Sequence, residues 1–432
     1  MTGTRLPAQT AVNGVLMIAF HYPPYQGSSG VLRTWNFSRY LPDHGWSPLV
    51  LTAAPTAYGP LEDRPGGLQV PPGLRLWRAA AFDTARHLSI RGRYLRWMAL
   101  PDRWVSWYPA AVLRALQIVR RYRPRLIWST YPIASAHLVA LTVQRLTGLP
   151  WIADFRDSMT EEGYPQNPTE RRLYQAIEQR TVKRAAAVVF TTEGTRRMYT
   201  SRYGEAAAKR FHVIPNGYGE ASFERAEALV RAAPARQGST QLVLLHSGVL
   251  YPSERDPRPF LEALSALKGA GRIAAADVQI VLRASAHDAL IQSLIDASDV
   301  GDIVKLAGSI AYEPALAEML GADALLLFQA ANCNHQIPAK LYEYLRAGRP
   351  ILALTDQRGD TAAALRSAGI DTIADLASAA DIAAKLPPFL DALRAGTAPR
   401  AQRSVAAMFS REAQSGALAE LLRAAHGGAA RS

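Results

Sequence analysis

Short apolar runs alternate with helix-patterned stretches along most of this chain, and the alternation occurs twice. In the first series the runs fall at 14–20, 47–53, 125–130, 150–156, 186–192 and 210–215, with helical periodicity over 30–41, 110–121, 134–147, 170–184 and 193–203. A polar stretch containing Ala, Arg and Gly, near 220–240, interrupts the pattern. A second series then places runs at 241–249, 277–284, 303–307, 324–328 and 350–355, again with helices between them. A run such as Asp323-Ala-Leu-Leu-Leu-Phe328 puts apolar side chains on both faces of a strand, so both faces need covering. Strands of that kind separated by helices build parallel sheets with helices on either side. The expected fold is therefore α/β, with two Rossmann-like parallel-sheet domains facing each other across a cleft. Their expected spans are 1–220 and 240–400, each large enough for its own core. The remaining 401–432 carries an amphipathic stretch at about 404–425, read as a C-terminal helix crossing back to the first domain.

In such sheets, ligands sit where strands run into helices, at the carboxyl edge. The most informative of these junctions is Gln336–Thr355. Pro338 suits a helix's first turn and Gly348 its C-terminal cap, and a buried strand follows at once. The helix N-terminus carries Lys340 and Glu343. Free amides and the positive dipole end there form a seat for phosphate, and a Glu one turn further in can accept two sugar hydroxyls. That is the chemistry of holding a nucleotide. Neither domain's first turn has the Gly-x-Gly-x-x-Gly spacing of a dinucleotide site, which lowers a hydride-transfer role in rank.

Arg255 and Arg258 follow the turn after the run 241–249, where guanidinium groups can neutralise a departing diphosphate bidentately. In the first domain, Gly27 and Gly30 let the loop before the first helix approach a phosphate or sugar closely. Asp154, Arg156 and Asp157 end the run 150–156, and Asp154 or Asp157 is a candidate base toward an acceptor hydroxyl. The same acids could instead form an internal salt bridge with Arg156. His137 falls within a helix pattern, where core burial is the plainer reading.

The net charge of +13 is unevenly spread. Arg64–Arg125 holds thirteen arginines, no lysine and two acids, Asp83 and Asp102, together with Trp77, Trp97, Trp104 and Trp107. Arg with Trp suits an anionic lipid surface; no nucleic-acid motif accompanies it. A solvated basic face over packed aromatics is the alternative. The lone Cys333 excludes a disulfide framework and a Cys-based zinc site. No early apolar run reaches bilayer length, so the expected location is cytoplasmic, peripheral on the inner face of the cell membrane.

Five motifs in order carry a resemblance: Tyr22-Pro-Pro-Tyr-Gln-Gly-Ser-Ser-Gly30, Pro150-Trp-Ile-Ala-Asp-Phe-Arg-Asp157, Val213-Ile-Pro-Asn-Gly217, His246-Ser-Gly248 through Arg255-Asp-Pro257, and the Pro338–Pro350 block. The chain resembles the family-4 group of GT-B fold glycosyltransferases, especially bacterial enzymes that build surface polysaccharides. The resemblance implies transfer of a sugar from a UDP- or GDP-linked donor to a glycan or lipid-linked acceptor, with retention of configuration and without a metal ion or other cofactor. It places the nucleotide mainly on the second domain and the acceptor mainly on the first. It makes Glu343 the ribose ligand, and Lys340 and the Arg255 region the diphosphate ligands. His335 stands eight residues before Glu343, where the family has the first Glu of a Glu-x7-Glu element, the one that contacts the transferred sugar. A His offers a hydrogen bond there but no fixed negative charge. His335 is thus a candidate donor-pocket residue, and its presence keeps open a non-catalytic nucleotide-sugar-binding subunit; a nucleotide-sugar 2-epimerase of the same fold is a second rival, against which the Arg/Trp segment and the Pro338–Pro350 block speak.

Overall fold

The computed structural model describes residues 13–25, 29–59, 68–233 and 240–429. They divide into two compact units. The first takes the chain to Thr191, then Thr195–Pro215 and the segment from Arg411 onward; the second takes Thr192–Gly194 and Asn216–Ser410.

The first unit is built on a seven-stranded sheet of β1 (Gly14–Ile18), β2 (Ser47–Ala53), β3 (Arg75–Ala79), β4 (Leu126–Thr130), β5 (Trp151–Arg156), β6 (Ala187–Phe190) and β7 (Phe211–Val213). The strands lie in the order β3-β2-β1-β4-β5-β6-β7, and every pairing is parallel. The reason is visible within β1. Leu16 and Ile18 enter one core while Val15 and Met17 enter another on the opposite face. A strand apolar on both faces has to be covered on both. Leu418, Ala419 and Leu422 of the helix Arg411–Ala429 close the second of these cores, beside the helix Ser29–Tyr40.

The second unit has six strands: β8 (Leu242–Ser247), β9 (Val278–Arg283), β10 (Val304–Ala307), β11 (Ala324–Gln329), β12 (Ile351–Thr355) and β13 (Ile373–Ala374). Their order is β10-β9-β8-β11-β12-β13, again wholly parallel. In β11, Leu326 and Phe328 point into one core and Leu325 and Leu327 into the other.

Two strands escape the sequence pattern. Arg75-Leu-Trp-Arg-Ala79 alternates basic and apolar residues, and its composition reads as surface. It pairs with β2 as the edge strand, where one flank needs no partner. β13 has two residues, too few for periodicity to register.

Candidate functional site

Both sheets reverse their strand order once, between β1 and β4 in the first and between β8 and β11 in the second. At such a reversal, neighbouring loops leave in opposite directions and open a crevice at the carboxyl edge.

In the second unit this edge receives the helix Ala339–Ala347. Pro338 is its N-cap, and Gly348 ends it at φ 65° in the left-handed region that glycine enters without steric cost. Lys340 and Glu343 lie three residues apart and share a face. The Lys340 ammonium holds Glu343 Oε2 at 2.7 Å, and the Tyr312 hydroxyl donates to Oε1 at 2.8 Å. Sequence reasoning missed Tyr312, which belongs to another helix 31 residues away. Both carboxylate oxygens are therefore occupied by donors that the hydroxyls of a sugar can replace. Glu343 pairs with neither Arg346, which is bound to Glu220 and Glu227, nor Arg349, which donates to the Leu320 carbonyl.

The loop after β8 approaches the same helix. Gly248 has φ 150°, and a Cβ there would lie 3.7 Å from Lys340 Cγ. Arg255 is anchored through Nη1 to the Val249 carbonyl at 2.8 Å, with its guanidinium 5.5 Å from the Tyr251 ring centre. Its Nε is buried without a partner. His246, at the end of β8, has its pKa lowered to about 4, first by burial and further by the nearby charges of Arg255 and Lys340. It is neutral at physiological pH, and the Nδ1 proton goes to the Leu326 carbonyl at 3.0 Å. Arg255, Lys340, Gly248 and Glu343 thus gather at one edge, with two cations facing a glycine backbone.

Arg258 does not join them. It is exposed at the start of the helix Arg258–Gly269, and its guanidinium grips Asp256 from both Nε and Nη2. Asp256 and Arg258 are two residues apart at a helix start, so the pair closes locally. His335 is half-buried in the loop between β11 and the helix Ala339–Ala347. Its carbonyl accepts from the Thr192 hydroxyl at 2.6 Å, and flanking bonds from Gln336 to Cys333 and from Asp360 to Asn334 hold the loop.

In the first unit, Asp154 is fully buried and paired with Arg33, at 2.7 Å to Nε and 3.2 Å to Nη2. Arg33 also donates to the carbonyls of Ile214 and Pro215, both at 2.9 Å. The internal ion pair weighed for Asp154 exists, but its partner is Arg33 and not Arg156. With both oxygens committed, Asp154 is a positioning acid rather than a base. No spacing rule ties residue 33 to residue 154; they meet because β1 and β5 flank β4. Asp157 is exposed at the end of β5. Gly27 lies outside the described residues. Gly30 is buried in the first turn of the helix Ser29–Tyr40 and lines a crevice with Phe20, His21, Thr34, Thr130 and Arg156. His21 stacks on Tyr25 with 4.5 Å between ring centres, and burial with the charge of Arg156 brings its pKa to about 4. His137 is a core residue, bonded through Nδ1 to Ser129 Oγ at 2.8 Å.

The Arg- and Trp-rich segment divides sharply. Trp107 is buried, and Trp77 and Trp104 pack against the core. Arg78 donates to the Pro23 carbonyl at 2.6 Å, and Arg103 pairs with Asp83. Among the described residues, the part around 82–97 sets large apolar side chains beside arginines in solvent, with Ile90 79%, Leu95 62% and Trp97 69% exposed next to exposed Arg91, Arg93 and Arg96. Among the described residues no helix is long and apolar enough to cross a membrane, and no three His, Cys, Asp or Glu side chains gather to hold a metal ion.

Two doubly covered parallel sheets of this order give the chain the GT-B fold. Residues 30–217 match the family model described as a glycosyl transferase 4-like domain. Among solved structures the chain is similar to sucrose-phosphate synthase from Thermosynechococcus elongatus, with 17% identity, 96% of this chain and 100% of that one covered, and a TM-score of 0.64. It is similar to HepE of Anabaena in complex with UDP, with 14% identity, 95% and 100% covered, and a TM-score of 0.66. WaaG, a glycosyltransferase involved in lipopolysaccharide biosynthesis, matches with 14% identity, 95% and 99% covered, and a TM-score of 0.61. No curated protein matches the sequence.

Proposed function

We propose that this protein transfers a glycosyl group from a nucleotide-sugar donor, UDP- or GDP-linked, to a glycan or lipid-linked acceptor. The observation that carries the reading is the gathering of Arg255, Lys340, Gly248 and Glu343 at the carboxyl edge of the second sheet. Glu343 accepts the two ribose hydroxyls, displacing Tyr312 and Lys340. Lys340 then turns to the diphosphate with Arg255, and the first-turn amides of the helix Ala339–Ala347 add their partial positive charge. Together these groups stabilise the departing nucleoside diphosphate electrostatically. HepE is described in complex with UDP and with UDP-glucose, which supports a uridine donor.

The acceptor belongs to the first unit, with exposed Asp157 as the base toward its hydroxyl. The outward segment 82–97 brings the protein to an anionic membrane surface on the inner face, where a lipid-linked acceptor would lie. Retention and metal independence belong to the same proposal. The product anomer by NMR tests the first, and activity in excess chelator tests the second.

Replacing Glu343 tests the central assignment. Glu343→Ala is expected to weaken UDP binding at least tenfold by calorimetry, about 1.4 kcal/mol or more, with circular dichroism unchanged. Unaltered affinity would falsify the ribose role. His335, in place of the family acid, favours one second reading, a binding subunit without transfer. Tight UDP binding with no transfer from any common donor to bacterial lipid extract would select it, and turnover of donor without acceptor would mark an epimerase.

A further inference from the structure

The second unit has a cavity at the amino edge of its sheet, opposite the edge that receives the start of the helix Ala339–Ala347. Leu242 opens β8, Asp323 stands just before β11 and Pro350 just before β12, and all three line the cavity because those strands run parallel. Its volume is about 90 Å³, room for several water-sized groups. The turn after the helix Ala379–Arg394 closes the remaining side. There Gly396 has φ 69°, and the Ala398 amide donates to the Ala392 carbonyl at 3.1 Å. That turn satisfies the helix's last carbonyls and brings Arg400 to the cavity wall.

Two arginines share this space. Arg349 is half-buried between Gly348 and Pro350, and its Nη2 donates to the Leu320 carbonyl. Arg400 is exposed and makes no hydrogen bond, and neither guanidinium forms an ion pair among the described residues. One acid faces them. Asp323 Oδ2 accepts the Val243 amide at 2.7 Å, and the Asp323 amide donates back to the Val243 carbonyl at 3.0 Å. Burial and then the charge of Arg400 lower the Arg349 pKa, and Asp323 acts against them. The neighbouring Arg394 is held by Asp277 and Asp391. Two cations against one acid leave the cavity positive. An anion between them relieves the repulsion and gains charge-assisted hydrogen bonds.

We propose that this cavity is an oxyanion site that takes a phosphoryl group, held between the Arg349 and Arg400 guanidiniums, with Leu242, Pro350 and Leu393 as its apolar walls. A phosphoryl group brings close to two negative charges and three acceptor oxygens, enough to meet both guanidinium forks, where a carboxylate would satisfy one. The site is separate from the nucleotide edge. Lys340 stands in the first turn of its helix and Arg349 beyond the C-terminal cap, roughly 13 Å further along at 1.5 Å per residue. Its existence does not depend on the glycosyl-transfer reading. The phosphoryl group has two sources, the free phosphate ion and a phosphorylated small molecule.

Calorimetric titration of the full-length protein with inorganic phosphate, with UDP in excess to fill the seat at Lys340, tests the site. Wild type is expected to bind phosphate, Arg349→Met to bind it about tenfold more weakly and the more exposed Arg400→Met about fivefold. Asp323→Asn, which keeps an oxygen for the Val243 amide, is expected to bind severalfold more tightly because the opposing charge is gone. Methyl phosphate in place of the ion separates the sources. Equal affinity assigns the site to a phosphorylated small molecule, and a marked loss assigns it to free phosphate. Arg400 has no bond to lose, so Arg400→Met decides the question if Arg349→Met does not fold. No phosphate bound by wild type in the presence of UDP, or equal affinity in wild type and Arg400→Met, overturns the proposal. Lys340 and Glu343 are unchanged in every variant, so failure here and failure of the ribose assignment are separate results.

Discussion

Asp154 and Glu343 are both acids near the carboxyl edge of a parallel sheet, and they end in opposite states. Glu343 keeps its oxygens on a lysine and a tyrosine hydroxyl that a ligand can displace. Asp154 has surrendered both to a buried arginine. The difference was half legible. Spacing within one helix puts Lys340 and Glu343 on a shared face, so their meeting could be read from the chain. Arg33 and Asp154 are separated by 121 residues, and only strand order brings them together. Breaking such a buried pair from one side leaves an uncompensated charge, typically about 3–5 kcal/mol. His246 yields a pH prediction. Its folded pKa of about 4 lies below the ordinary 6.5, so the unfolded chain binds more protons between those values. Its contribution to stability is complete above pH 6.5 and is lost as pH falls toward 4. His246→Asn, which keeps a donor for the Leu326 carbonyl, is expected to flatten the fall in stability across that window by up to about 1.4 kcal/mol per pH unit. Urea unfolding at a series of pH values measures it, and an unchanged slope would show that His246 does not titrate there.

At the level of elements, patterns internal to one segment were readable. Helix Ala339–Ala347 starts after Pro338 and ends at Gly348 because both residues act through their own backbone geometry. The helix Ala134–Thr147 matches its expected span for the same local reason, with Gly148 as its left-handed cap. The basic segment was less legible, since composition does not say which Trp faces inward. Trp107 completes a core and Trp97 stands in solvent, although both lie in the same Arg-rich stretch. Within 64–125, the exposed Ile90, Leu95 and Trp97 make 82–97 the stretch at which the membrane expectation is tested. Leu95→Glu with Trp97→Glu is expected to reduce flotation on vesicles containing anionic phospholipid severalfold, removing apolar area worth about 25 cal/mol per Å² and adding like charge. Equal recovery with the lipid fraction would assign the contact elsewhere.

On the scale of the whole molecule, the chain leaves its first unit at Pro215 and returns to it at Arg411. The returning helix, Arg411–Ala429, buries Leu418, Ala419 and Leu422 against a core that β1 and β4 share. Ending the chain after Ser410 uncovers that face. Two leucines alone account for roughly 3–6 kcal/mol of burial, so the truncated protein is expected to unfold in two steps by calorimetry, the earlier one belonging to the first unit. A single transition at the wild-type midpoint would show that the helix contributes no stability. What the sequence by itself determined is the kind of fold and one side of the site: strands apolar on both faces must be covered twice, and a capped helix after such a strand offers its N-terminus to an anion. What only the tertiary structure decided is the partner of each buried charge. Arg33 closes on Asp154, Tyr312 on Glu343, and Arg156 is left facing an open crevice. Local pattern acts over a few residues, whereas these pairings depend on which strands become neighbours, and no stretch of chain carries that information alone.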